Sequence, residues 1–227
     1  MKKFALIVAG GKGIRMESDT PKQFLVLSGM PVLMHTITAF HNYSKKIKII
    51  VGLPLKEIST WKALVGDYSF KIPHEVIAGG DTRFQTVRNC LDSISSKKGL
   101  VAIHDGVRPL VSERMITSSF QLAESHGAAI ASVRMKESIR LINQSGNQSV
   151  DRSKYRLIQT PQTFKLDLLK EAYKQKEETT FTDDASVIER AGVSVSLYEG
   201  DYKNIKITTP EDLIIVKLFL DEKDRSR

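Results

Sequence analysis

Five short runs rich in Val and Ile recur along the 227 residues, at Phe4 to Ala9, Ile47 to Leu53, Glu75 to Ala78, Leu100 to His104 and Ala128 to Val133. Each has the length of a buried strand, and stretches with helical spacing separate them. Within Thr82 to Ser95, the residues Phe84, Val87, Leu91 and Ile94 recur every three or four positions. Pro31 opens another such stretch, to His41, in the first turn, where a missing N–H costs a helix nothing. Strands that are apolar on both faces and alternate with helices predict an α/β fold: a Rossmann-like, mostly parallel sheet with helices on both faces. Ligands of such sheets sit at the carboxyl ends of the strands.

The rhythm breaks after Val133. Glu137 to Ile142, the polar turn Asn143 to Asn147 and Ser149 to Gln159 read as two strands joined by a loop, a projecting β-hairpin arm over 136–159. An isolated two-stranded arm with few large apolar residues is marginal in water, so it needs something to pack on. A second subunit is the economical choice, which predicts a homodimer. Helices are expected again at Lys165 to Lys176, Asp183 to Ala191 and Pro210 to Leu220. The length suits one domain, 1–227, with the arm as its appendage.

The first strand runs into Ala9-Gly10-Gly11-Lys12-Gly13-Ile14-Arg15-Met16, followed by Thr20-Pro21-Lys22-Gln23-Phe24. Clustered glycines after a strand let backbone amides approach phosphate oxygens that a Cβ would keep away. Two common phosphate loops are excluded. A P-loop needs Ser or Thr after its lysine, where Gly13 stands, and a dinucleotide loop needs a third glycine where Met16 stands. On the glycines alone, a tight turn flanked by the surface cations Arg15 and Lys22 is an equal reading.

The formal net charge of +8, from 34 Lys and Arg against 26 Asp and Glu, admits nucleic acid, an anionic membrane face or a polyanionic small molecule as partner. The cations are scattered and do not interleave with aromatics as in a nucleic-acid-binding stripe, so nucleic acid is not expected. No stretch approaches the roughly 20 apolar residues that cross a bilayer, and no membrane association is expected. A lone cysteine, Cys90, can form neither an internal disulfide nor a cysteine zinc site, which fits a reducing cytoplasm.

Gly-Gly-x-Gly-x-Arg-Met with Pro-Lys-Gln-Phe resembles the signature of nucleotidyltransferases, and within them of the cytidylyltransferases that act on polyol phosphates. Further segments fall in that family's order: Gly79-Gly80-Asp81-x-Arg83 with Thr86-Val87, His104-Asp105-Gly106-Val107-Arg108-Pro109, Thr160-Pro161-Gln162, Thr182-Asp183-Asp184-Ala185-Ser186 and Asn204-Ile205-Lys206. The resemblance spans almost the whole chain and is nearest to the 2-C-methyl-D-erythritol 4-phosphate cytidylyltransferase family of non-mevalonate isoprenoid precursor synthesis.

The resemblance implies CTP and a polyol phosphate as substrates. It makes Arg15 and Lys22 stabilisers of the transition state, and Arg152 and Lys206 the residues that position the acceptor phosphate. Ala9, Gly10, Gly11, Gly13, Gly80, Asp81, Thr86, Asp105 and Gly106 would hold the nucleotide. Asp105, Arg108, Ser138, Arg152, Thr182 and Lys206 would hold the acceptor. Ser138 and Glu137 stand where the erythritol enzymes more often have threonine and aspartate. Mg²⁺ is the implied cofactor, carried mainly by the triphosphate with Asp105 as a weak protein ligand. His104 reads as packed rather than catalytic. Asp81 or Thr82, and Asp183, could equally be helix caps. A ribitol 5-phosphate cytidylyltransferase shares the loop and Gln159 to Phe164, but Thr182 to Ser186 is nearer to the erythritol enzymes. A non-catalytic basic nucleic-acid-binding module is the remaining reading of another class.

Overall fold

The computed structural model describes residues 1–11, 16 and 20–225. Its elements run β1 (Lys3–Val8), β2 (Val26–Leu27), β3 (Met30–Pro31), α1 (Val32–Tyr43), β4 (Lys48–Leu53), α2 (Ile58–Asp67), β5 (Glu75–Ala78), α3 (Arg83–Ser93), β6 (Leu100–Asp105) and α4 (Glu113–His126). They continue with β7 (Ala128–Arg134), β8 (Arg140–Asn143), β9 (Gly146–Ser149), β10 (Arg156–Lys165), α5 (Leu166–Ala172), α6 (Asp184–Arg190), β11 (Ser196–Glu199) and α7 (Pro210–Arg225). No helix among the described residues is long and apolar enough to cross a membrane.

The central sheet has the order β11-β7-β10-β6-β1-β4-β5. Its pairings are parallel except those of β10, which runs antiparallel to both β6 and β7. The mostly parallel sheet expected from the sequence is therefore present. Strand alternation divides the core in two. Ala5 and Ile7 of β1 face one side, with Leu33, Ile37 and Phe40 of α1, Trp61 of α2 and Phe120 of α4. Phe4 and Leu6 face the other, with Phe84, Val87 and Leu91 of α3, Leu169 of α5 and Ile188 of α6. A third cluster, including Leu27, Val32, Val107, Ile207 and Val216, fastens α7 over the carboxyl edge of the sheet.

The arm differs from its expected boundaries. A short antiparallel hairpin, β8 and β9, forms a sheet of its own with all its residues exposed. The segment expected as one returning strand, Ser149 to Gln159, is broken by a 3-10 turn at Arg152–Lys154 and then enters the central sheet as β10. Proline within a strand paired on both sides is unusual, because it cannot donate to the ladder. Here the register of β10 against β7 shifts between Ile158 and Gln162, and Pro161 lies inside that irregular stretch.

Candidate active site

Four parallel strands deliver their carboxyl ends to one rim, where β1 leads into Ala9–Gly11, β4 into Pro54, β5 into Gly79–Thr82 and β6 into Gly106. Two adjoining clefts open there. The first, of about 670 Å³, is walled by Ala9, Gly10 and Gly11, by Lys22 and Gln23, and by Gly80 to Arg83 with Thr86. The second, of about 630 Å³, has Arg108, Gln159, Thr160, Gln162, Thr182 and Asp183 on its walls. Arg83, Asp105 and Lys206 belong to both and form the seam between them.

Local chemistry explains the first wall. The Ala9 amide donates to the Gly52 carbonyl at 3.0 Å, which ties the loop to β4. Beyond β5, the Thr82 hydroxyl accepts from the Gln85 amide at 3.1 Å and caps α3, so Thr82, not Asp81, is the cap. The Thr86 hydroxyl donates to Thr82 O at 2.9 Å and accepts from the Gly80 amide at 3.2 Å, fixing the chain that borders the cleft. A Cβ at Gly80 would sit 2.4 Å from Gln85 Cβ, so this turn requires glycine. Lys22 is only 9% exposed, and its ammonium donates to Ile207 O at 3.2 Å.

At the seam, Asp105 Oδ2 accepts from Arg108 Nε at 3.0 Å and lies 3.2 Å from Lys206 Nζ. Burial works to raise the pKa of this carboxyl, but Lys206, Arg108 and Arg83 more than offset it and hold Asp105 well below the usual carboxylate range. Arg108 is steadied in turn by the Asn204 carbonyl at 2.8 Å. His104, one residue earlier, is fully buried against the edge of Phe40. Its Nε2 faces the Arg108 carbonyl, which can only accept, so Nε2 carries the proton and Nδ1 accepts from the Thr160 hydroxyl at 3.0 Å. Burial lowers its pKa to about 4, so the ring is neutral near pH 7. With both nitrogens engaged, it is a fixed support behind Asp105.

The second wall is assembled from distant motifs. Gln162 donates to Asp183 Oδ2 at 2.9 Å and accepts from the Ala185 amide at 3.0 Å, which latches β10 onto the start of α6. Asp183 and Ser186 cap that helix reciprocally, leaving Thr182 on the cleft wall. Asp184 is fully buried and takes both ends of the Arg83 guanidinium, at 2.8 and 2.5 Å, together with the Tyr173 hydroxyl at 2.6 Å.

The matching family model, 2-C-methyl-D-erythritol 4-phosphate cytidylyltransferase (IspD), covers residues 4–222. The chain belongs to this family. It is 49% identical over 220 residues to a Bacteroides thetaiotaomicron 2-C-methyl-D-erythritol 4-phosphate cytidylyltransferase, covering 97% of this chain and all of that one. It is 50% identical to the protein of the same name from Porphyromonas gingivalis, covering 96% and 98% of the two chains. Among solved structures, the 4-diphosphocytidyl-2C-methyl-D-erythritol synthase of Anaerococcus prevotii superposes with a TM-score of 0.82 at 25% identity over 97% of this chain and 96% of that one. The Thermus thermophilus 2-C-methyl-D-erythritol 4-phosphate cytidylyltransferase gives 0.78 at 29%, over 96% and 98%.

The residues that family resemblance singles out divide between the clefts. Ala9, Gly10, Gly11, Lys22, Gly80, Asp81 and Thr86 line the first, Arg108 and Thr182 the second, and Asp105 and Lys206 both. Gly106 is not on either wall: its amide donates to Val8 O at 2.8 Å and its carbonyl accepts from the Thr36 hydroxyl at 3.0 Å. A Cβ there would meet that of Ala9 at 2.9 Å, which makes it a packing glycine in this fold. Ser138 and Arg152 are exposed and line neither cleft of their own chain, and Arg152 donates to the Lys136 carbonyl. Gly13 and Arg15 lie outside the described residues. Arg83, Gln23 and Thr160 also line the clefts, and each stands within one of the family motifs without a role that the motif implies.

Proposed function

We infer that this chain transfers a cytidylyl group from CTP to 2-C-methyl-D-erythritol 4-phosphate and releases pyrophosphate. The reading is carried by its near-full-length membership of a family whose motifs, in this fold, converge on two adjoining clefts. Ribitol 5-phosphate cytidylyl transfer and nucleic-acid binding are set aside, because the family model and the similar proteins bear the erythritol name.

The reaction is an in-line displacement in which an oxygen of the acceptor phosphate attacks the α-phosphorus of CTP and the bond to pyrophosphate breaks. The attacking oxygen is already anionic, so no general base is required. What must be supplied is alignment of two polyanions and stabilisation of charge on the α-phosphate. The glycine-bordered cleft with Lys22 suits the nucleotide: amides meet phosphate oxygens, and Gly80, Asp81 and Thr86 line the part that the family motif gives to the pyrimidine. The Arg108, Thr182 and Lys206 cleft suits the polyol phosphate, bringing it to the seam from the opposite side. Arg15 is assigned with Lys22 to the transition state on the family motif.

A divalent cation such as Mg²⁺ is part of the proposal. Among the described residues, no group of three or more His, Cys, Asp or Glu could hold a metal, and Asp105 already serves two cations. These residues fit a metal that arrives on the triphosphate, with Asp105 as at most one further ligand; such an ion would neutralise phosphate charge.

A two-fold dimer is also proposed. The exposed hairpin with Leu141 and Ile142, and the exposed Tyr155 and Leu157 beyond it, are apolar groups in search of cover. Crossing to a second copy would bring Arg152 and Ser138 to that copy's acceptor cleft. A cytoplasmic setting accompanies the reading, since CTP is a polyanion that does not cross a bilayer unaided. The direct test incubates the protein with CTP, Mg²⁺ and 2-C-methyl-D-erythritol 4-phosphate. Phosphorus NMR should show a new diphosphate diester and free pyrophosphate in equal amounts; formation of neither would overturn the reading.

A further inference from the structure

Arg83 is the cation at the seam that the reaction as described leaves unused. It lies on the walls of both clefts, and its side chain remains 30% exposed although its carboxylate partner is fully buried. That partner grips it end-on, taking one N–H from each terminal nitrogen. A guanidinium has five N–H groups in a rigid fork, so this grip fixes its plane and leaves donors over. Among the described residues, those donors have no hydrogen-bond partner. The grip is itself braced, since Asp184 accepts the Tyr173 hydroxyl and Tyr173 stacks on Phe84, the neighbour of Arg83 in α3.

A purely structural ion pair joining α3 to α6 would not need to sit between two ligand clefts with donors unspent. We propose that Arg83 is a further substrate-contacting residue, which receives the acceptor phosphate at the seam and turns its oxygen toward CTP, with Asp184 as the residue that positions it. This rests on the proposed function and adds a contact to it. Asp184 thereby holds an oriented fork at the seam, beside Lys206, whose ammonium is a point charge that fixes no plane.

The test separates orientation from scaffolding. Arg83→Gln and Asp184→Asn each leave a buried or half-buried charge unpaired and should lower the melting temperature. The double variant removes both charges and should regain much of that loss. If Arg83 contacts substrate, the double variant stays at least about a hundredfold below wild type in kcat/KM for the acceptor, while its affinity for CTP, measured by calorimetry without acceptor, stays within about threefold. Recovery of turnover together with stability would overturn the proposal and leave a scaffold ion pair. Should the double variant not fold, Arg83→Lys decides. It keeps the charge but loses the fork, and is expected to fold normally with kcat/KM for the acceptor down about tenfold or more; undiminished turnover overturns the proposal. Wild-type enzyme that gave no turnover at all would instead overturn the assigned reaction, and this inference with it.

Discussion

The Lys206 ammonium stands 3.2 Å from the Asp105 carboxylate, and 44% of the lysine side chain is exposed against 10% of the aspartate. Arg108 holds the same carboxylate oxygen at 3.0 Å, so the lysine is the partner that can turn outward to a ligand without leaving the carboxylate unpaired. Lys22, by contrast, is buried in the nucleotide cleft, with its ammonium donating to the carbonyl of Ile207, the residue after Lys206.

The two lysines are therefore expected to fail differently. Lys206→Ala should raise the KM for the polyol phosphate by about tenfold or more if, as proposed, this cation binds the acceptor before and during reaction. Lys22→Ala, and Arg15→Ala on the motif, should mainly depress kcat, by on the order of a hundredfold, because they remove charge matched to the transition state. Steady-state kinetics with each substrate varied would decide. Near-normal kcat in Lys22→Ala would remove it from the transition state.

His104 gives a pH signature. Its pKa is about 4 in the fold against about 6.5 when unfolded, so below pH 6.5 the unfolded chain binds more protons than the folded one. Stability should fall as pH drops from about 6.5 toward 4, by on the order of 3 kcal/mol from this residue, with no further loss from it at lower pH. Urea unfolding of wild type and His104→Gln across that range is the check. The variant should be less stable at pH 7 but show a shallower acid slope; parallel slopes would refute the assignment of that slope to His104.

How far the sequence speaks can be read from particular segments. The parallel strands and the helices against them follow from apolar periodicity, because burial on one or both faces imposes it. β10 was hidden for two reasons. Arg156 to Gln159 continues the arm in sequence, and Pro161 argues against a central strand unless the register slip beside it is known. β11 is four residues with alternating half-burial, too short to carry a pattern. Within the site, Ala9 to Gly11 and Lys22 are close in sequence and line the first cleft, while Gly13 and Arg15 lie outside the described residues. The value of Arg83 depends on Asp184, 101 positions away, and no spacing rule connects them.

The assignment of Arg152 and Ser138 to a partner's cleft has its own test. Chains carrying Lys22→Ala are co-expressed with chains carrying Arg152→Ala, and mixed dimers are confirmed by differential tags. Each mixed dimer would hold one site with both defects and one with neither. With random pairing, activity should recover to about a quarter of wild type, although each parent alone is nearly inactive. No recovery would show that Arg152 serves its own subunit or no site.

The central claim, that the seam joins CTP to an erythritol phosphate, is tested most directly by the rate of pyrophosphate release from CTP with 2-C-methyl-D-erythritol 4-phosphate and with ribitol 5-phosphate at equal, sub-saturating concentrations. The account predicts turnover with the first and at least about tenfold less with the second, the scale that a few misplaced hydroxyl contacts produce. Equal or faster release with ribitol 5-phosphate would contradict it.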